Sequence, residues 1–210
     1  MLFRSKPIVN LIPALKPEER ITAILRLDAD MVRRQSARDD DDEAESADES
    51  AELVEDAEVI EADGDVEAPA AGATADGPFI FMAISNGVVK RTQLAKFARP
   101  RSNGLIAVRL QEGEHLVNVA ITRGDEDVVL VAGNGKVVRF QESRVRVMGR
   151  TARGVRGMKV AEGEEVIALM VPQEGGQMLA ASENGYGKRT DLSEFPTKGR
   201  GTQEIGRAHV

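Results

Sequence analysis

The chain has 210 residues, of which 41% are hydrophobic and 30% charged, so it can bury a core in one ordinary domain or two small ones. Six Phe, one Tyr and no Trp argue against aromatic base-stacking platforms, while the absence of Cys excludes disulfides and thiolate zinc sites and points to a reducing compartment. Two His are too few for a His-rich metal centre, and no apolar run approaches the roughly 20 residues of a membrane span, so a soluble cytoplasmic protein with no membrane partner is expected.

The formal net charge of −7 hides a segregation. From Asp39 to Val89 there are seventeen acidic residues and no Lys or Arg; the remainder holds 28 basic against 18 acidic residues, a net +10. A basic body of this kind suits a polyanion, most often nucleic acid. The acidic ribbon, residues 37–78, opens on Asp39-Asp40-Asp41-Asp42-Glu43 and closes on an Ala/Gly/Pro-rich stretch. It cannot bury enough apolar surface to offset its ordering entropy, so it is expected to be disordered, with only a marginal helix permitted around Leu53, Ala57 and Ile60.

The flanking chain repeats. Asn86-Gly87, Asn134-Gly135 and Asn184-Gly185 are spaced by 48 and 50 residues. An apolar run precedes each (79–84, 128–132, 178–181), and a basic run follows each (88–91, 136–139, 187–189). Asn-Gly between two such runs predicts a hairpin whose two central residues take positive φ. A second landmark, Leu110-Gln-Glu-Gly-Glu-His-Leu-Val, returns 50 residues on as Val160-Ala-Glu-Gly-Glu-Glu-Val-Ile. It also matches Leu15-Lys-Pro-Glu-Glu-Arg-Ile-Thr, 95 residues before the first copy. The excess over one period is 45 residues, about the length of the ribbon, which therefore interrupts one repeat.

Within a repeat, Ile106, Val108 and Leu110 alternate with Ala107 and Arg109, predicting a half-buried strand; Val138-Arg139-Phe140 does the same. Units of about 50 residues with roughly four strands each read as propeller blades. The expected class is all-β: a partial, propeller-like array with the end of one blade and the start of the next in 6–36, the insertion in 37–78, blades at 79–126 and 127–176, and a partial blade at 177–203. So few blades do not close a ring, so neighbouring blades are expected to be missing.

Several strings then become specific. Asn134-Gly-Lys-Val-Val-Arg-Phe, Met148-Gly-Arg-Thr-Ala-Arg-Gly-Val-Arg-Gly-Met, Glu183-Asn-Gly-Tyr-Gly-Lys-Arg-Thr and Phe195-Pro-Thr-Lys-Gly-Arg-Gly-Thr resemble the C-terminal domain of bacterial DNA gyrase A. Lys6-Pro-Ile-Val-Asn-Leu and Glu19-Arg-Ile-Thr-Ala-Ile-Leu resemble the end of that domain's first blade, so the likeness covers 6–27 and 79–203. It implies a β-pinwheel whose basic rim binds and wraps double-stranded DNA. It implies a parent enzyme, an ATP-dependent type II topoisomerase that negatively supercoils DNA, with a gyrase A homodimer joined to two copies of gyrase B. ATP and Mg2+ would serve other domains, with no cofactor in this segment, and the location would be the cytoplasm, at the nucleoid. The family's Gln/Arg/Gly box would lie upstream of Lys6. Residues 1–5 and 204–210 fall outside the likeness and look like translated sequencing-adapter DNA; set aside from fold reasoning, they leave His209 without functional meaning.

A wrapping rim needs positive charge at regular intervals, because phosphate neutralisation supplies affinity without reading sequence. Arg91, Arg139 and Arg189 occupy equivalent positions, five residues after each hairpin Asn, with Lys90 and Lys188 beside two of them and Lys136 in the third strand. Basic loops carry Arg99 and Arg101, then Arg146, Arg150, Arg153 and Arg156, then Lys198 and Arg200. Glycines in 150–157 would let backbone approach a phosphate, and Arg can grip one with two hydrogen bonds. With Arg109 and Arg144 added, these strands and loops hold sixteen Lys and Arg; with about half on phosphates, log K falls with log salt at a slope near −7. A single strand Arg is equally well a solvated face or an edge guard; the alignment across repeats favours DNA. Phe97 and Phe195 read as core, the Asn-Gly pairs as turn chemistry, and His115 as a strand-start residue with no required chemistry.

Tyr186 is the only Tyr, but no carboxylate cluster, base or oxyanion device stands near it in sequence, so no catalytic residue is expected here. The alternatives are the similar C-terminal tail of topoisomerase IV, which the upstream box would separate, and a propeller serving as a protein-interaction platform, which the scarcity of Trp and Tyr disfavours. The ribbon is a solvated insertion or, more sharply, a competitor for the basic rim. On the second reading, deleting residues 39–76 tightens DNA binding more at low salt than at high salt; an equal effect at both contradicts it.

Overall fold

A computed structural model describes residues 19–27, 77–98, 104–201 and 206–207. Residues 37–76 of the expected acidic insertion, with Arg99 and Arg101, lie outside the described residues. Ten strands are described: β1 (Phe79–Ile84), β2 (Val88–Gln93), β3 (Leu116–Thr122), β4 (Asp127–Ala132), β5 (Lys136–Gln141), β6 (Val155–Arg156), β7 (Val166–Met170), β8 (Gln177–Ala181), β9 (Gly187–Asp191) and β10 (Gly206–Arg207). They form three sheets, ordered β3-β1-β2-β6, β10-β5-β4-β7 and β8-β9. The chain is all-β, as its alternation and turn spacing require.

Each Asn-Gly pair closes an antiparallel hairpin: Ala83 pairs with Val89, Val131 with Val137 and Ala181 with Gly187. The turns differ from the two-residue form expected. Gly87 donates its N–H to the Ile84 carbonyl and Gly135 to that of Ala132, so in each case the glycine follows a tight turn as a third loop residue. Asn Oδ1 accepts the N–H two residues on, Val88 for Asn86 and Lys136 for Asn134. Positive φ is needed at the glycine, +88° at Gly87, where a Cβ would stand 2.3 Å from the Met158 carbonyl oxygen.

The sheets exchange strands. After β5 the chain leaves the second sheet and runs back to the first, where Val155 pairs with Val89 and Arg156 with Val88. It then returns to the second sheet as β7. The fourth strand of the first sheet therefore comes from the following repeat, which a linear division into blades does not anticipate. Gly206–Arg207, within the stretch set aside as adapter-like, takes the matching place beside Val137 and Lys136.

β4 is buried on both faces. Val128 and Leu130 pack with Phe81, Ala83 and Val89 of the first sheet, whereas Val129 packs with Met178 and Phe195 beneath the third. The Phe81 and Phe140 rings meet at 6.4 Å, tilted by 49°; burying each contributes about 1.5–3 kcal/mol. Phe195 is core as expected, while Phe97 is only partly buried. The strand expected at 106–110 is not formed: the segment is irregular and Ile106 is 69% exposed. Its Ala107 carbonyl accepts from the Lys90 ammonium instead of joining a ladder.

Candidate nucleic-acid interface

The basic residues picked out by pattern fall into two groups. The first is inside the fold. Lys90 is 0% exposed, and its Nζ donates to the carbonyls of Ala107 (2.8 Å) and Arg150. Burial, and then the Arg150 cation, push its pKa down to about 8. Arg91 lies over the Phe79 ring, 4.7 Å from its centre, with Nη1 3.8 Å from the Glu142 carboxylate. Burial pulls this guanidinium below its ordinary value and Glu142 opposes the shift. Arg139 pairs with Asp127 at 2.7 Å and donates to the carbonyls of Leu192 (3.0 Å) and Phe195 (3.2 Å). Arg153 donates to Gln111 (2.6 Å) and Glu114 (2.7 Å), both in the repeated Gln-Glu-Gly-Glu landmark. These four side chains hold the protein together, and a phosphate cannot reach Lys90 here. The glycines of the 150–157 stretch likewise serve packing: a Cβ on Gly154 would stand 2.6 Å from the Val89 carbonyl oxygen, and one on Gly157 2.7 Å from a Val89 methyl.

Lys90 carries a pH dependence whose sign follows from the shift. Its folded pKa, about 8, lies below the ordinary value of 10.5, so between these values the unfolded chain binds the extra proton. Stability therefore rises with pH across that window. The expected result is that the wild-type chain gains stability relative to Lys90→Met from pH 8 to pH 10 in denaturant titrations. A flat or falling difference contradicts the assignment.

The second group faces solvent. Arg146, Lys188, Arg189 and Lys198 are exposed, and Lys136, Arg150, Arg156 and Arg200 are partly so. Arg200 also donates to the carbonyls of Arg144 (3.0 Å) and Arg156 (3.3 Å); burial, and then the Arg146 cation, lower its pKa. Lys188 and Arg189 project from β9 of the third sheet; Arg146, Arg150 and Arg156 come from the segment crossing between the first two sheets, and Lys198 and Arg200 from its counterpart 50 residues on. The solvent-facing cations thus recur with the blade period along the loops that join sheets. Tyr186 sits 72% exposed in the last hairpin loop, and His115 is exposed with Nε2 3.9 Å from Glu165. Among the described residues no three His, Asp or Glu come together to hold a metal, and no helix is long and apolar enough to cross a membrane.

Glu142 is the residue that patterning missed. It is 0% exposed and accepts from the Thr122 hydroxyl (2.5 Å), the Gly124 N–H (2.7 Å) and the Glu126 N–H (3.1 Å), besides facing Arg91. The signal was present: at the corresponding repeat positions stand Leu94 and Leu192, so Glu142 is an acid in an apolar slot.

Exchanged four-stranded sheets stacked through shared cores define a β-propeller class of fold. The family described as the DNA gyrase C-terminal domain, β-propeller, matches residues 79–123, 126–173 and 177–203, and the chain belongs to that family. Over 203 residues it is 50% identical to the DNA gyrase A protein of Pseudomonas aeruginosa, covering 96% of this chain and 22% of the relative. Over 202 residues it is 41% identical to that of Salmonella typhimurium, covering 96% and 18%. The chain thus spans about a fifth of the length of these relatives. Among solved structures, a DNA topoisomerase IV C-terminal domain matches with a TM-score of 0.59 at 27% identity over 64% of this chain and 42% of that one. A DNA gyrase A C-terminal domain matches with a TM-score of 0.57 at 25% identity over 66% and 47%.

Proposed function

We propose that this chain is a DNA-binding and DNA-wrapping segment of a gyrase A protein. Its parent would be an ATP-dependent type II topoisomerase that introduces negative supercoils, assembled from a gyrase A homodimer and two copies of gyrase B at the bacterial nucleoid. The reading is supported above all by the family match across three successive repeats together with solvent-facing cations at the blade period. Curated relatives similar to this sequence are gyrase A proteins, which favours gyrase over topoisomerase IV. Nucleophile, ATP and Mg2+ belong to other parts of the parent in this reading, and the segment contributes geometry: it bends a duplex along its rim at a cost of several kcal/mol, offset by phosphate contacts.

This reading assigns phosphate contacts to Lys136, Arg146, Arg150, Arg156, Lys188, Arg189, Lys198 and Arg200, whose side chains are exposed or partly so, and to Arg99 and Arg101, which lie outside the described residues. Lys90, Arg91, Arg139 and Arg153 are left out of it, because each of these side chains is largely covered by the fold as well as bonded within it. With about five or six contacts made, log K for a random-sequence duplex should fall with log salt at a slope near −5. Affinity that is independent of salt contradicts the reading.

A further inference from the structure

The aligned arginines do the same thing twice. Arg91 on β2 has one anchor in its own sheet, the Phe79 ring, and a second on Glu142, which opens the 3-10 turn Glu142–Arg144 after the next hairpin. Arg139 on β5 has one anchor in its own sheet, Asp127, and a second on the Leu192 and Phe195 carbonyls, around the turn Leu192–Glu194 after the next hairpin. Phe79 and Asp127 are themselves equivalent repeat positions, 48 residues apart. The main chain repeats the pattern as well. The Arg91 carbonyl accepts the Met148 N–H at 2.9 Å, and the Arg139 carbonyl accepts the Lys198 N–H at 2.9 Å. Each arginine therefore ties its sheet, by side chain and backbone together, to the turn and crossing loop of the sheet that follows. Those crossing loops carry Arg146, Arg150 and Lys198.

We propose that Arg91 and Arg139 are sheet-to-sheet pins that set the angle between successive sheets, and so the path of bound DNA, without touching DNA themselves. The DNA half of this inference rests on the wrapping function proposed above; the pin itself rests on geometry alone. A guanidinium suits the role because its rigid fork serves two partners in different directions, which an ammonium on a flexible stem does not. The donors of Arg139 aimed at turn carbonyls, and the pairing of Arg91 with the Glu142 carboxylate, fix where the next loop's cations lie relative to each sheet.

The test uses the whole chain with Arg139→Lys, which keeps the charge and loses the fork, and with Asp127→Ala, which removes the in-sheet acceptor of Arg139, along with that of the Thr197 hydroxyl, and no cation. Two readouts are needed. Because the chain lacks Cys, Lys96→Cys and Glu183→Cys, both at exposed positions, give a clean spin-label pair spanning the first and third sheets. The distance distribution should broaden or shift in both variants. On DNA, affinity for a short linear duplex should stay within about twofold with an unchanged salt slope, because no phosphate contact is lost. The linking-number change per bound protein on closed circles should drop by about half or more, because the bend path is no longer held. An unchanged distance distribution overturns the pin. An unchanged linking-number change per bound protein overturns its link to the DNA path. A salt slope shallower by about 0.9 in Arg139→Gln shows a phosphate contact and overturns the claim that the residue stays off DNA. If the wild-type chain retards no duplex, the wrapping function fails and the DNA half falls with it, while the distance measurement still decides the pin.

Discussion

Replacing Arg146, Lys188, Arg189 and Lys198 together with Gln is expected to weaken duplex binding by about 100-fold at low salt and to flatten the salt slope by about 3 to 4. All four side chains are exposed, and they lie on β9 and on the two crossing segments. The loss is electrostatic: each neutralised phosphate releases counterions, so each cation removed takes close to one unit from the slope. Folding should be nearly unaffected, since surface substitutions away from structural contacts stay within about 0.5 kcal/mol each. Lys198 keeps its backbone bond to the Arg139 carbonyl whatever its side chain. Binding curves at several salt concentrations, with a denaturant titration of the same samples, check both halves. A quadruple variant that binds as tightly as wild type would place the DNA elsewhere on the molecule.

The second large effect is on stability. Glu142→Ala should cost about 3–5 kcal/mol, because it strips a buried cation of its counter-charge and leaves polar donors unpaired. Arg91 would keep only the Phe79 ring, and the Gly124 and Glu126 N–H groups would lose their acceptor in the turn between β3 and β4. Domains are stable by only about 5–15 kcal/mol in total, so the variant should melt far below wild type or fail to fold. Glu142→Gln, which keeps an acceptor and the volume, should cost less. The double variant Arg91→Met with Glu142→Leu should recover much of the loss, since a buried ion pair is often replaceable by apolar residues of similar size. Leu at this position is already used by the flanking repeats, at Leu94 and Leu192. Denaturant midpoints for the three variants decide it; equal losses for Glu142→Ala and the double variant would contradict the account.

The repeat was legible in the sequence because its signals are local. Asn-Gly placed after an apolar run needs nothing beyond about ten neighbouring residues to make a hairpin, and all three hairpins formed where the spacing put them. The turn type was less legible, because the glycine's positive φ serves a three-residue loop as readily as a two-residue one. The strand exchange was hidden for a physical reason: β6 is two residues long and its partner β2 lies more than 60 residues earlier, so no local pattern announces it. Ile106, Val108 and Leu110 show the converse, an alternating pattern that pairs with no strand among the described residues.

The basic face was only half legible. Lys188 and Lys90 look alike in sequence, each a lysine before an arginine in a hairpin strand. Lys188 is exposed on a two-stranded sheet, whereas Lys90 is covered by Ala107 and Arg150, whose contacts depend on chain 17 and 60 residues away. Arg189 and Arg139 divide in the same way: the turn that receives Arg139 comes from the third sheet, while Leu179 beside Arg189 is 73% exposed. Periodicity found the cations; only tertiary contacts separate those that hold sheets together from those that face solvent.

The most direct test of DNA wrapping is the linking number of closed circular DNA relaxed by a nicking-closing enzyme with and without the whole chain, at low and moderate salt. The expected result is a shift in linking number that grows with bound protein and shrinks as salt rises. A chain that is folded by circular dichroism, retards the same DNA at low salt and leaves its linking number unchanged would contradict wrapping.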